Sequence, residues 1–401
     1  MRTKGIHVSR EANLAKNTFI ITIGKVCTQL VSFLLLPLYT ALLTTEDYGI
    51  VDLLNTLVSL LLPIVTLQVD QALFRELIEV RENEEQKARI ISTGTITVVL
   101  QCFIYLVLFA CISPLVHNEY KFFLASNVLM NAFVTVLLQI SRGLGDNKRY
   151  AVASFFSASF TIVFNVLFLV VAKLGARGML LATFTAQFLA SLYLFISLKL
   201  YRYIKISEYR KTIIRKLWQY SIPLIPNAIS WWVIDASDRV IATGFLGVDQ
   251  NGILAASLKF ALLLTGLNYI TTLSWTESIA VSIDDDDIQD YFNRMMNVIL
   301  GIFISLSIGM IACVPFAFPI LINAQYNSGY GLVPISVMAT LFNVVVGLIS
   351  VVYVAKKNTK AIAKTSFFAA IINITTHLAL IKFIGLYAAV TSSFIAFFTM
   401  S

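Results

Sequence analysis

Twelve stretches of the chain, most of them 20 residues or longer and apolar, decide what it can fold into: 18–43, 48–73, 90–113, 122–141, 150–172, 179–200, 222–246, 251–276, 295–322, 331–355, 361–383 and 386–401. A helix rises about 1.5 Å per residue, so about 20 residues cross a hydrocarbon core roughly 30 Å thick. Inside that core every backbone N–H and C=O needs a partner within the protein, which a helix provides by itself. Composition agrees: 58% of the 401 residues are hydrophobic, 13% are charged, and the mean hydropathy is +0.81, well outside the range of soluble domains. The expectation is an all-α polytopic membrane protein with twelve transmembrane helices. The first apolar stretch is too long for a signal-peptide core and lacks an A-x-A-like cleavage site, so it reads as a retained span. The last is short and reads as a full final helix or part of one.

The basic residues give the chain a direction. Of the 30 lysines and arginines, 23 fall in segments on the same side as the N-terminus and four on the other (Lys121, Lys173, Arg177, Lys382). Three lie within apolar blocks: Lys25, Arg239 and Lys259. Basic loops stay in the cytoplasm, so both termini are expected there. The net charge of +8 then reflects topology and contact with anionic lipid. No soluble basic domain exists to bind nucleic acid, so none is expected as a partner.

The longest polar connection, "RYIKISEYRKTIIRKLWQYS" (202–221), separates six blocks from six. The expected organisation is an N-terminal six-helix bundle over 1–201, a cytoplasmic linker over 202–217 and a C-terminal six-helix bundle over 218–401. Three matches in order favour a duplication with parallel repeats. At an offset of 203, Thr40, Leu43, Glu46, Gly49 and Ile50 fall on Thr243, Leu246, Asp249, Gly252 and Ile253. Near 211, "GDNKRYA" (145–151) falls on "KKNTKAI" (356–362), and "KLGARGMLLAT" (173–183) on "FIGLYAAVTSS" (383–393).

Soluble-enzyme signatures are absent: there is no G-x-G-x-x-G, G-x-x-x-x-G-K-[ST], G-x-S-x-G or H-E-x-x-H. Cys27, Cys102, Cys111 and Cys313 all lie in apolar blocks without a C-x-x-C pair and read as buried structural thiols. "DDDD" (284–287) lacks the spacing and glycine of a calcium loop and reads as a solvated turn. No metal or cofactor is expected. His377, in "NITTH", reads first as a packing histidine, with a proton relay as the alternative. Pro37, Pro63, Pro315 and Pro319 bend their blocks, as static kinks or as hinges.

The segment "IDASDRVIATGFLG" (234–247) puts Asp235, Asp238 and Arg239 inside an apolar block. A charge near the bilayer centre costs about 2.5–3.5 kcal/mol even on the lenient insertion scale, so these groups face protein or water. Asp235 and Arg239 are four apart with the acid first, the favourable order for a pair. That pair reads either as a packing ion pair or as part of a site. The turn after this block centres near 249, with Arg239 ten residues before it and Lys259 ten after. In an antiparallel hairpin the two cations reach one depth, about 15 Å from the turn, which suggests an anion site. The same construction around position 46 brings Lys25 near Asp70.

Three segments then resemble a known family. "NTFIITIGKVCTQLVSFLLLPLYTALLTTEDYGIVDLLNTL" (17–57) resembles the opening of bacterial polysaccharide-unit flippases of the multidrug/oligosaccharidyl-lipid/polysaccharide exporter superfamily. "YSIPLIPNAISWWVIDASDRVIATGFLGVDQNGI" (220–253) is similar to their seventh-helix region, including Asp238 and Arg239, and "RGLGDNKRYA" (142–151) to their fourth inside turn. The resemblance implies two six-helix bundles around a central, often cationic cavity. It also implies a non-enzymatic flippase that moves undecaprenyl-diphosphate-linked oligosaccharide repeat units from the inner to the outer leaflet of the bacterial inner membrane by alternating access. Such units serve O-antigen lipopolysaccharide or exopolysaccharide synthesis. On this resemblance Lys25, Arg239 and Lys259 are candidate cavity cations, and Asp52, Asp70, Asp235 and Asp238 supporting or coupling carboxylates. Besides the lipid-linked substrate and the bilayer, a coupling ion (H+ or Na+) and a polysaccharide polymerase are candidate partners. The alternatives are a cation-coupled multidrug exporter of the same superfamily, a lipid II flippase and, with less support, a membrane sugar polymerase or ligase, for which the outside loops are short.

Overall fold

The computed structural model describes residues 33–282, 287–355 and 359–401, without the side chains of Asp235, Leu273, Glu277 and residues 280–282, 354–355 and 359–363. Among the described residues there is helix and turn but no strand. The helices are α1 (Leu36–Leu42), α2 (Thr45–Val65), α3 (Val69–Glu79), α4 (Glu84–Ile112), α5 (Lys121–Gly143), α6 (Asn147–Asn165), α7 (Gly175–Ser197) and α8 (Lys211–Ser221). They continue with α9 (Ile225–Leu246), α10 (Val248–Ser282), α11 (Ile288–Leu321), α12 (Leu332–Ala355), α13 (Thr359–Ile384) and α14 (Tyr387–Met400). Nine spans among the described residues are long and apolar enough to cross a bilayer. α9 is not one of them, since it carries Asp235, Asp238 and Arg239 within 22 residues. α14 has only 14 residues, and most of the first apolar block lies outside the described residues.

The second apolar block is not one helix. Leu67 and Gln68 both have positive φ, +48° and +57°, and two consecutive left-handed residues end a helix. The Thr66 hydroxyl bridges the break, donating to Leu62 O at 2.9 Å and accepting from Gln68 N at 3.3 Å. Beyond the break, α3 is a short amphipathic helix rather than the end of a span.

The described chain groups into two compact units, 57–228 and 33–56 with 229–401. This differs from a division at 201/218: residues 33–56 go with the second unit, and the first runs on to Ala228.

In the first unit, α3 buries Val69, Leu73 and Leu77 against Ile91 and Val98 of α4, Ile140 of α5, Leu194 of α7 and Leu217 of α8. Glu76, buried on the other edge of α3, pairs with Lys216 of α8. Arg81, just past α3, donates to the carbonyls of Gly143 and Arg142 at the end of α5 at 2.7 and 3.1 Å. These carbonyls have no partner inside their own helix. Asp146 caps α6 by accepting from Arg149 N at 3.0 Å. The outer faces are strongly apolar, for example Phe103, Ile104 and Leu108 of α4, as lipid contact requires.

In the second unit, α12 packs along α10 and α14, and α13 packs along α14. Ile234 of α9, Ala339 of α12, Ala370 of α13 and Phe397 of α14 share one core. Trp275 of α10 donates to Leu348 O of α12 at 3.2 Å. Carbonyls at the end of α1 are met by the loop after α11. Gln325 donates to Thr40 O and Leu43 O at 3.1 and 2.8 Å, and the Tyr326 hydroxyl lies 3.1 and 3.0 Å from Leu43 O and Thr44 O.

Candidate functional site

Two glycines set the register of the site, which lies wholly within the second unit. Gly49 of α2 and Gly252 of α10 meet backbone to backbone: a Cβ on Gly49 would lie 1.9 Å from Val248 O, and one on Gly252 1.9 Å from Thr45 O. No other residue allows this approach. Asn251 fastens the crossing by donating to Gly49 O at 3.0 Å. Asp52 is three residues past Gly49, about one turn along α2, and Lys259 is seven past Gly252, about two turns along α10. By those spacings each lies on about the same face of its helix as the crossing glycine, within reach of α9.

There Asp52 meets Arg239, with Oδ2 2.9 Å from Nε. Both side chains are mostly buried, at 18% and 16% exposure. The neighbouring turn is tied down as well: Trp232 of α9 donates to Thr56 O at 3.0 Å, and the Thr56 hydroxyl to Asp52 O at 2.8 Å. Lys259 lies within electrostatic range of both Asp52 and Arg239. Arg239 also lines a cavity of about 380 Å³ bounded by α9, α10, α12 and α14. Its wall is apolar on the α10 side (Leu254, Leu258, Ala261, Leu262), with Thr265 near one end. On the α12 and α14 sides it carries Ser336, Thr340, Asn343 and Ser393. Such a wall suits a ligand with an apolar body and a polar or charged head.

Asp238 reaches the same cavity from α9 and belongs to a separate network. Its Oδ1 lies 2.7 Å from Nδ1 of His377 on α13, and its Oδ2 accepts from Ser393 of α14 at 2.7 Å. Ser392 is 3.4 Å from Oδ1, and Asn373 donates to Ser393 Oγ at 3.2 Å. Asp238, His377, Asn373 and Ser392 are all buried.

The placement of the candidate residues is therefore mixed. Arg239 and Asp52 meet; Lys259 is close to them but does not line the cavity. Asp238 sides with His377 rather than with Arg239. Asp52 of another helix pairs with the Arg239 guanidinium; the side chain of Asp235, expected to hold Arg239 from one turn away, lies outside the described residues. Lys25 lies outside them too, as do Asp284, Asp285 and Asp286. Asp70 belongs to the first unit, buried in the first turn of α3 and accepting from Gln71 at 2.9 Å. Sequence reasoning missed the Asp52–Arg239 pair, whose members are 187 positions apart, and the His377 network. The signals available were the duplicated Gly49 and Gly252, the Asn373-to-His377 spacing of four, and the adjacent serines at 392 and 393. No group of three or more metal-ligating side chains occurs among the described residues.

The fold has solved counterparts. A multidrug resistance MATE family transporter of the MOP superfamily, in its inward-facing conformation, superposes with a TM-score of 0.75 at 11% identity, over 92% of each chain. An outward-facing structure of a multidrug resistance MATE family transporter of that superfamily gives 0.66 at 13%, over 96% of this chain and 93% of the other. A MOP superfamily transporter from Pyrococcus furiosus Vc1 (DSM3638), described as having a binding pocket of reverse polarity that suggests a different function, gives 0.65 at 12%, over 96% and 94%. At these identities the likeness is one of fold. No curated protein matches the chain by sequence. A family model described as polysaccharide biosynthesis protein matches residues 14–276, a span that takes in Asp52, Arg239 and Lys259; by that match over more than half its length, the chain belongs to the polysaccharide biosynthesis protein family.

Proposed function

We propose that this membrane protein is a flippase that carries a diphosphate-linked lipid oligosaccharide from the inner to the outer leaflet of a bacterial cytoplasmic membrane, by alternating access, for surface polysaccharide synthesis. One observation carries the proposal: the Arg239 guanidinium is held by Asp52 at the wall of a largely apolar cavity, with Lys259 in electrostatic range. A guanidinium fork matches phosphate oxygens, and the ion pair with Asp52 orients it at the cavity wall. An inside-negative potential drives an anion outward by about 2.3 kcal/mol per charge per 100 mV, so export in this direction needs no nucleotide site. The 23-to-4 bias in basic residues supports the reading that both termini are cytoplasmic.

The multidrug reading has one specific observation in its favour, namely the Asp238 carboxylate on the same cavity wall. A cationic drug would seek Asp238, whereas a diphosphate would seek Arg239. The test is flipping of a fluorescent polyprenyl-diphosphate sugar in proteoliposomes. Measured per molecule of folded, reconstituted protein, Arg239→Glu should abolish flipping and Arg239→Lys should reduce it less, because charge survives without the fork. If Arg239→Ala and Lys259→Ala both flip at the wild-type rate, the anion reading is wrong. Drug efflux that survives Arg239→Ala but is lost in Asp238→Asn would favour the rival.

A further inference from the structure

We propose that the outer face of α8, in the first unit, binds an anionic phospholipid of the cytoplasmic leaflet, with the lipid phosphate between Lys211 and Arg215 and its chains along Trp218 and Ile222. The site does not depend on the flippase reading; only the choice of leaflet rests on the cytoplasmic reading of the basic side.

The helix has two faces. Ile213, Leu217 and Tyr220, spaced four and three apart, turn inward: Leu217 is buried in the core of the first unit, and the other two pack against that core. The guanidinium of Arg75 on α3 lies 4.5 Å from the centre of the Tyr220 ring, and Lys216 pairs with Glu76 and Glu79. These contacts fix α8 to its unit. Lys211, Arg215, Trp218 and Ile222, spaced four, three and four, fall on the opposite side of the helix. With Tyr209 and Pro223 they line an open groove of about 630 Å³.

Unbalanced charge sets this groove apart from its surroundings. Nearby, Lys87 pairs with Glu84, Arg89 with Glu85 and Glu208, Arg210 with Glu208, and Lys216 with Glu76 and Glu79. Lys211 and Arg215 belong to no ion pair among the described residues, and the sequence holds no acidic residue between Glu208 and Asp235. α8 also begins without a side-chain cap and without an acid in its first turn, so its amide dipoles add to the positive field there. Side chains four apart on a helix start about 5–6 Å from each other, close enough for both cations to hold one phosphate. Arg215 supplies a planar fork of donors and Lys211 a compact charge.

The other end of the groove selects a lipid over a free anion. The helical rise from Lys211 to Ile222 is about 16 Å, cationic at the start and apolar at Trp218, Ile222 and Pro223. A free phosphate would use the first half alone, whereas a phospholipid fills both. Trp218 and Ile222 are exposed, as are Tyr201 and Ile206 on the approach to α8. Apolar side chains left outside on a basic segment are what a helix at the membrane surface presents to lipid, and tryptophan is enriched at that depth. Anionic headgroups of the cytoplasmic leaflet attract such basic segments beside a span.

The test is native mass spectrometry of the whole purified protein in detergent, titrated with phosphatidylglycerol or with phosphatidylcholine of the same chains. The wild type should bind phosphatidylglycerol more tightly. Lys211→Gln with Arg215→Gln should weaken phosphatidylglycerol binding by about tenfold or more, whereas Lys148→Gln with Lys199→Gln, which removes the same charge, should weaken it by about twofold or less. Lys148, Lys199, Lys211, Arg215 and Trp218 are all exposed, so these variants test binding in a folded chain. Trp218→Ala should weaken phosphatidylglycerol severalfold, and millimolar glycerol 3-phosphate, the head without the chains, should not displace the lipid. Equal losses in the two double variants would mean a diffuse surface field and overturn the site. Displacement by glycerol 3-phosphate, or unchanged binding in Trp218→Ala, would overturn the assignment to a lipid. Detergent has no sides, so an error in sidedness shows only in a reporter fused after Lys211, and an error in the flippase reading only in the flipping assay.

Discussion

Replacing Gly49 by alanine should loosen the crossing that positions Asp52. The added methyl carbon would sit 1.9 Å from Val248 O, against an ordinary contact of 3.4 Å or more, so α2 and α10 must part by about 1.5 Å. The obstacle is backbone, which has no rotamer to yield. Overpacking of this kind costs about 1–3 kcal/mol, and straining the Asn251 bond to Gly49 O adds about 1 kcal/mol. Alanine's advantage over glycine in a helix returns at most about 1 kcal/mol. Gly244 of α9 and Gly301 of α11 are internal controls, since a Cβ on either meets nothing within 4 Å and only the helix-propensity gain applies. The comparison is the apparent unfolding temperature of purified protein by tryptophan fluorescence at one scan rate, because membrane proteins often unfold irreversibly. Gly49→Ala should unfold several degrees below wild type, with Gly244→Ala and Gly301→Ala at or slightly above it. If Gly49→Ala unfolds with the controls, the crossing is not close-packed and the register argument for Asp52 and Lys259 fails.

The same geometry gives two more expected outcomes. Asp52→Asn and Arg239→Gln should each destabilise the protein by a few kcal/mol, since each leaves a mostly buried charge without its partner. The double variant should cost less than the sum, and a thermodynamic cycle without coupling would show that the 2.9 Å pair contributes no stability. A reporter domain fused after Lys211 should be active only as a cytoplasmic marker; periplasmic activity there would reverse the assigned sidedness.

Much was legible in the residues alone. Apolar blocks of bilayer length leave the backbone no option but helix, so fold class follows from composition and period. The cost of a charge in hydrocarbon singles out Arg239, Lys259 and Asp238 before any coordinates exist. The internal repeat already aligned Gly49 with Gly252. What the linear pattern could not carry was pairing between helices. Within one helix the i, i+4 rule offers Asp235 to Arg239, but no rule within a helix brings the guanidinium to Asp52 on another helix, a meeting that follows from two glycines letting α2 and α10 touch. His377 looked like a packing residue because hydropathy records a side chain's own polarity and not its neighbours'. Its place against Asp238 depends on how α9, α13 and α14 assemble. The break at Leu67 and Gln68 likewise interrupts an apolar block with no proline or glycine at the break to announce it. Local sequence governs which segments become helices because the bilayer acts on each segment separately. Tertiary structure governs which charges meet because that depends on where helix backbones approach most closely.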